Sequence, residues 1–145
     1  MARPLVIGYG NTLCGDDGFG PVVADALREV CADADILTLH QLTPEYAEAV
    51  AGAACVIFVD ICVDGPTGQL ECTALAPDET GQSATHHMTP AGLLRWADAL
   101  YGPPPPAHLI MVAGVDFSLG AGLSETVAAQ VGPAVEAIRG LLAPA

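Results

Sequence analysis

The chain contains no lysine, and its four basic residues are all arginines. With 17 aspartates and glutamates among 145 residues, its net charge is −13 at pH 7. Proteins that bind nucleic acids or anionic membranes take much of their affinity from lysine and arginine side chains. The composition therefore excludes both as expected partners, and it favours a cation or a basic protein surface.

Long apolar runs are also missing. No run approaches the ~18 residues that a membrane-spanning helix needs, and the apolar run before the first glycines is too short for a signal peptide. About half of the residues are nevertheless apolar (52%), which supplies a core for one domain at this length. We therefore expect a single domain over residues 1–145, cytoplasmic and monomeric.

The five cysteines form no C-x-x-C pair, so neither a zinc knuckle nor a disulfide framework is predicted. Reduced thiols that fill space in the core are the expectation. Cys14 differs from the others because it lies in a glycine-rich stretch. A nucleophilic role for Cys14 would require a neighbouring base.

The most informative stretch runs from Gly8 to Gly20 and holds five glycines and the adjacent acids Asp16 and Asp17. Glycines allow sharp turns and close approach to a ligand, and paired carboxylates suit a cation or acid–base chemistry. Phosphate binding is not supported, because the third glycine of G-x-G-x-x-G is absent and no G-K-[ST] occurs. The alternative is structural: either aspartate could cap the helix that follows.

Apolar strands alternate with helical patterns along the chain. The pattern predicts an α/β fold, a mostly parallel sheet with helices on both faces. Expected helices begin near Pro21, Thr43, Thr89 and Ser124, which follow the usual N-terminal preferences. The expected strands cover residues 5–7, 36–39, 55–59, 69–75 (an edge strand) and 109–112.

Two acidic positions follow predicted strands. The strand 5–7 leads to Asp16 and Asp17, and the strand 55–59 ends at Asp60. Ligands of open α/β sheets bind beyond the carboxyl ends of strands, so these acids are expected at one edge. His86 and His87 precede a helix in a loop of the same kind. Carboxylate and imidazole together suit a borderline divalent ion.

Structural interpretations remain open for each of these residues. Asp60 could bond to a turn, and only one of His86 and His87 is expected to be a ligand. Asp116 could be a third carboxylate on this edge, although a turn role is favoured. His40 and His108 lie at strand margins and are interpreted as surface or packing residues.

Four motifs of this sequence resemble those of a known protein family. Residues 8–20 resemble the G-x-G-N-x-L-x-x-D-[DE]-G-x-G opening of the hydrogenase maturation proteases, which process the large subunit of [NiFe] hydrogenases. Residues 56–60 resemble their central strand with its terminal aspartate. Residues 85–94 resemble their [ST]-H motif and leucine-rich helix, and residues 116–124 are similar to their late G-x-G-L-S element. The four motifs occur in order over nearly the whole chain.

The resemblance implies a three-layer fold with a single five-stranded twisted sheet. It also implies removal of a C-terminal extension from the hydrogenase large-subunit precursor after nickel insertion, without a conventional nucleophile triad. The family residues that reach the nickel correspond to Asp17, Asp60 and His86, with His87 as the alternative histidine. The nickel would come with the substrate, and Asp17 or Asp60 would be the catalytic general base that activates water.

Two other functions fit parts of the pattern. A nickel-binding chaperone or sensor of hydrogenase assembly could use the same three ligands without peptidase activity. An unrelated aspartate-dependent hydrolase could share the sheet, although it would not require the four motifs in order.

Overall fold

A computed structural model describes residues 2–77 and 88–143. The described residues form one sheet in the order β2-β1-β3-β5-β4. Its strands are β1 Leu5–Tyr9, β2 Asp35–Leu39, β3 Val56–Thr67, β4 Leu70–Leu75 and β5 Ala107–Ala113. Four strands are parallel, and β4 pairs antiparallel with β5 at the edge. The predicted five-stranded, mostly parallel sheet with an edge strand near residues 69–75 is confirmed.

Helices cover both faces of this sheet, as predicted. They are α1 Phe19–Arg28, α2 Ala47–Ala51, α3 Pro90–Tyr101, α4 Glu125–Ala128 and α5 Val131–Leu142. The helices α1, α4 and α5 pack on one face, and α2 and α3 pack on the other. Short 3₁₀ turns at Gly15–Gly18 and Pro44–Tyr46 precede α1 and α2.

The core lies in two layers because successive strand residues point to opposite faces. In β3, Ile57 and Val59 belong to the layer under α1 and α5, whereas Val56 and Phe58 belong to the layer under α2 and α3. All four are fully buried. This is the pattern of a central strand covered on both sides, as its uniformly apolar sequence predicted.

Strand β3 is longer than its sequence indicates. We expected it to end at Asp60, but it continues to Thr67 and pairs with β5 as far as Cys62 opposite Ala113. Beyond Cys62 the register shifts, and the chain then enters β4 on the far side of β5. Asp60 nevertheless lies just past the end of the ladder between β1 and β3, because that pairing stops at Val59 opposite Gly8.

Two helix ends also differ from expectation. The first helix begins at Phe19, two residues before Pro21, and the final helical region is divided into α4 and α5 around Ala129 and Gln130. The predicted caps at Thr89 and Ser124 are confirmed, since the Thr89 hydroxyl accepts from the Gly92 N–H and the Ser124 hydroxyl from the Val127 N–H. Thr43 lies at the expected N-cap position, but its hydroxyl bonds to the Glu45 carboxylate and does not cap the helix end.

The start of α1 lies directly against the ends of β1 and β3. A Cβ placed on Gly20 would be only 2.5 Å from the Val59 carbonyl oxygen, so this contact requires glycine. The close approach fixes the preceding loop over the carboxyl ends of the central strands. Among the described residues, no helix combines the length and hydrophobicity needed to span a membrane.

Candidate active site

A cleft of about 350 Å³ opens at the carboxyl ends of the adjacent strands β2, β1 and β3. This is the position at which an open α/β sheet binds its ligands. Asp17 from the glycine-rich loop and Asp60 from β3 both line the cleft. The other lining residues are Tyr9, Gly10, Asn11, His40, Gln41, Leu42 and Met88. The predicted convergence of the two carboxylates at one sheet edge is therefore observed.

Asp17 is held in the cleft by the loop that follows β1. Its Oδ2 accepts a hydrogen bond of 2.7 Å from the Asn11 backbone N–H. The residue before Asn11 is Gly10, which has φ +148° and at which a Cβ would be 2.0 Å from the Asp17 carbonyl oxygen. The loop can close in this way only with glycine at position 10. The remaining lone pairs of the Asp17 carboxylate stay available to a ligand.

Asp60 is fixed from two directions. Its Oδ2 accepts a 2.7 Å hydrogen bond from the Tyr9 hydroxyl, and its Oδ1 accepts a 2.7 Å bond from the Ile61 N–H. Burial raises the pKa of Asp60 to about 6, and the negative charge of Asp17 adds to this effect. The two hydrogen bonds act in the opposite direction. The site thus holds one carboxyl group that is ready to gain or lose a proton near neutral pH.

Asp16 has a different environment from its neighbour. It is fully buried, and its carboxylate accepts four hydrogen bonds of 2.7–2.9 Å from the loop before α4. The donors are the N–H groups of Val115, Asp116 and Ser124 and the hydroxyl of Ser124. Burial alone would raise the pKa of Asp16, but these bonds outweigh it and lower the pKa. Because Asp16 is fully buried and does not line the cleft formed by the described residues, its carboxylate is not presented to a ligand there.

The capping interpretation of the two aspartates is wrong. The N-cap of α1 is Gly18, and no side chain bonds to that helix end. Asp16 instead joins the glycine-rich loop to a segment about 100 residues further along the chain. Asp16 therefore has a structural role, whereas its neighbour Asp17 lines the cleft.

Asp116 has the turn role that was favoured for it. Its Oδ1 accepts bonds from the Ser118 hydroxyl (2.5 Å) and the Ser118 N–H (2.9 Å). These two bonds lower the pKa of Asp116. It does not line the cleft formed by the described residues.

Of the four histidines, only two can be placed. His86 and His87 lie outside the described residues. His108 is half-buried in β5, opposite Ile57 and Ala74, and packs as expected. His40, interpreted from sequence as an ordinary surface or packing residue, is exposed but lines the cleft.

Sequence reasoning missed Tyr9 and His40 as residues of the cleft. Both could have been found from the sequence, because each lies at the carboxyl end of a predicted strand. Tyr9 ends β1, and His40 follows β2, which is the neighbour of β1. His40 comes directly after β2, whose last residue, Leu39, pairs with Tyr9. The Leu39 carbonyl accepts from the Gly10 N–H, which keeps the two strand ends together.

The donor chemistry of the cleft suits part of a divalent-ion site. Asp17 and Asp60 supply carboxylate oxygens, which bind borderline ions together with imidazole nitrogen. Within residues 2–77 and 88–143, no three His, Cys, Asp or Glu side chains stand close enough to hold a metal ion. Two carboxylates are fewer than the four ligands that a zinc-like ion usually takes.

The cysteines take no part in this arrangement. All five are free thiols. Cys14 forms an isolated backbone bridge with Leu119, and the cleft formed by the described residues does not include it. In that part of the chain, no nucleophilic cysteine faces the two carboxylates.

The fold and the cleft define an α/β protein with a carboxylate site at the carboxyl edge of its sheet. Solved structures share this fold over nearly all of the chain. A hydrogenase 2 maturation peptidase from a Thaumarchaeota archaeon is 30% identical, with 97% of each chain covered and a TM-score of 0.72. HybD of E. coli, described as a hydrogenase maturating endopeptidase, is 23% identical, with 97% of this chain and 91% of that one covered and a TM-score of 0.79.

A third structure is HycI of Thermococcus kodakarensis, described as a [NiFe] hydrogenase maturation protease. It is 23% identical, with coverage of 97% and 92% and a TM-score of 0.76. No protein-family sequence profile and no curated protein sequence matches the chain. On the 30% identity over the full fold, the chain belongs to the hydrogenase maturation peptidase family. The sequence resemblance is confirmed, and with it the assignment to a class of peptidases.

Proposed function

We propose that the protein is an endopeptidase that removes the C-terminal extension of a [NiFe] hydrogenase large-subunit precursor after nickel insertion. The observation that carries the proposal is the meeting of Asp17 and Asp60 in one cleft at the sheet edge. The names of the structural relatives support the same role, since two of them are described as maturation peptidase or endopeptidase.

In this proposal the nickel ion is part of the substrate. Asp17 and Asp60, which line the cleft, contact this ion. His86 supplies the third contact, with His87 as the alternative. Two neighbouring carboxylates repel each other, which is one cause of the raised pKa of Asp60. A cation brought in by the substrate would relieve that repulsion. A partial ligand set favours an ion that arrives with ligands of its own.

The same pair of acids can serve the hydrolytic step. A general base works best when its pKa lies near the working pH, and the pKa of Asp60 is raised to about 6. We therefore assign activation of water to Asp60, in addition to its contact with the nickel, and nickel recognition to Asp17, which is the shorter equivalent of an acid in the family motif. A nickel ion near the scissile peptide could also polarise its carbonyl group.

The partner in this proposal is the precursor protein, with its C-terminal tail in the cleft. The acidic surface, with a net charge of −13, suits neither nucleic acid nor an anionic membrane. A monomer that acts in the cytoplasm fits this role.

The test is incubation of the purified protein with hydrogenase large-subunit precursor, prepared with and without nickel. We expect cleavage of the nickel-loaded precursor only, observed as loss of the C-terminal extension by mass spectrometry. Equal cleavage of both preparations would contradict nickel recognition. His86→Ala should abolish cleavage and His87→Ala should not, so the two histidines serve as matched controls for each other.

The same experiment separates this function from a nickel chaperone or sensor. A chaperone would bind nickel tightly and stoichiometrically by itself and would leave the precursor intact. The endopeptidase needs only weak nickel affinity in the isolated protein, because it meets the ion in its substrate.

A further inference from the structure

Tyr9 stands out because its hydroxyl contacts a proposed active-site carboxylate directly. It is the last residue of β1, and Asp60 lies at the corresponding place in the adjacent strand β3, one residue beyond the last pair of that ladder. The Tyr9 hydroxyl donates to Asp60 Oδ2 at 2.7 Å, and Tyr9 also lines the cleft. Its ring packs against the core layer under α2 and α3.

Asp60 depends on neutral donors for its orientation. The chain has no lysine, and each of its four arginines lies in a surface ion pair with another acid. In the described part of the chain, the donors to Asp60 are the Tyr9 hydroxyl and the Ile61 N–H. The backbone bond comes from the next residue and tethers only Oδ1, so among the described residues Tyr9 is the donor that fixes Oδ2 from another strand.

Tyr9 is suited to act as a permanent donor. A tyrosine hydroxyl has an ordinary pKa of about 10, so it is protonated at neutral pH and can donate to a carboxylate. Each Asp60 oxygen accepts one bond from the described residues, and a carboxylate oxygen that accepts one bond keeps a lone pair for a ligand in the cleft.

We propose that Tyr9 is a positioning residue, which holds the Asp60 carboxylate in the orientation that contacts the substrate. This inference rests on the proposed function of Asp60. A purely structural tyrosine would contribute only the packing of its ring. The two roles can be separated, because Tyr9→Phe keeps the ring and removes only the hydroxyl.

The first experiment measures kcat and KM for nickel-loaded precursor at a temperature at which every variant is fully folded. For Tyr9→Phe we expect kcat to fall at least about tenfold, with KM little changed, since a loosely held carboxylate reduces the share of reactive complexes. Tyr101→Phe is the matched control, because Tyr101 is exposed at the end of α3, and it should stay within about twofold of the wild type. A kcat within twofold for Tyr9→Phe would overturn the proposal.

The second experiment does not depend on activity. Three-bond NMR couplings report the χ1 angle of Asp60 in the wild type and in Tyr9→Phe. We expect one rotamer in the wild type and averaging between rotamers in the variant, and a single unchanged rotamer in the variant would overturn the proposal. If the wild type does not cleave the precursor, the proposed function fails, while the χ1 result still decides whether Tyr9 orients Asp60.

Discussion

Asp16 and Asp17 are adjacent in the sequence, but the fold gives them opposite environments. Asp16 is fully buried and accepts four hydrogen bonds from a loop about 100 residues away. Asp17 lines the cleft and, among the described residues, accepts one bond, from the Asn11 N–H. A buried carboxylate with four donors anchors a loop, whereas a carboxylate that reaches a cleft with few donors can bind a ligand. The number of donors around each carboxylate and its access to the cleft therefore distinguish the two acids.

The largest effect is expected from Asp16→Asn. The amide nitrogen of asparagine would face backbone N–H groups, and at least one buried donor would lose its acceptor. We expect the free energy of unfolding to fall by about 3 kcal/mol, measured by urea denaturation. Asp17→Asn is the matched control and should change it by less than about 1 kcal/mol. Equal losses in the two variants would show that the contrast between these acids is wrong.

The second prediction concerns activity, for which Asp17 is expected to be the sensitive residue. Asp17→Asn should lower kcat/KM for the nickel-loaded precursor about 100-fold, equivalent to about 2.7 kcal/mol, because a neutral amide is a poor partner for a cation. The protein should remain folded, as circular dichroism can verify. Asp33→Asn, on the exposed loop before β2, is a control that should retain full activity. Undiminished cleavage by Asp17→Asn would remove this residue from the site.

The third effect concerns the pH dependence of stability at Asp60. Its pKa is raised from 3.8 to about 6 in the fold, so its contribution to stability is complete below pH 4 and is lost as the pH rises through 6. Asp60→Asn cannot ionise and avoids that loss. Relative to the wild type, the variant should therefore gain about 2 kcal/mol between pH 4 and pH 7. Urea denaturation at both pH values tests this, and a pH-independent difference would contradict it.

The smallest effect is expected at His40, on the β2 side of the cleft. Because it lines the cleft without a hydrogen bond to either carboxylate among the described residues, we expect His40→Gln to lower kcat/KM about threefold through weaker substrate contact. His108→Gln is the control, since His108 lies in β5 and is not a lining residue. Equal activities of the two variants would show that His40 makes no useful contact.

The sheet was predictable because its signals are local. The uniformly apolar segment 55–59 and the Thr89-Pro90 helix start determine their own structures with little help from the rest of the chain, and both are confirmed. The end of β3 was not predictable in this way. Its extension to Thr67 depends on pairing with β5, which lies some 50 residues further along the chain.

The site was predictable as a set of strand ends but not residue by residue. The pattern of strand ends placed Asp60 and the Asp16-Asp17 pair at one edge, and only the family resemblance chose Asp17 over Asp16 as the ligand. The physical difference between the two acids lies in the donors of Val115 and Ser124, which only the folded chain brings to Asp16. The role of His86 stays a prediction, because it lies outside the described residues.

The central claim is that the cleft carboxylates process a hydrogenase precursor. The most direct measurement is the intact mass of a [NiFe] hydrogenase large subunit co-expressed with the wild-type protein, with Asp17→Asn or with neither. We predict that the C-terminal extension is lost only with the wild type. A large subunit that keeps its extension beside the folded wild-type protein, or loses it equally with Asp17→Asn, would contradict this account.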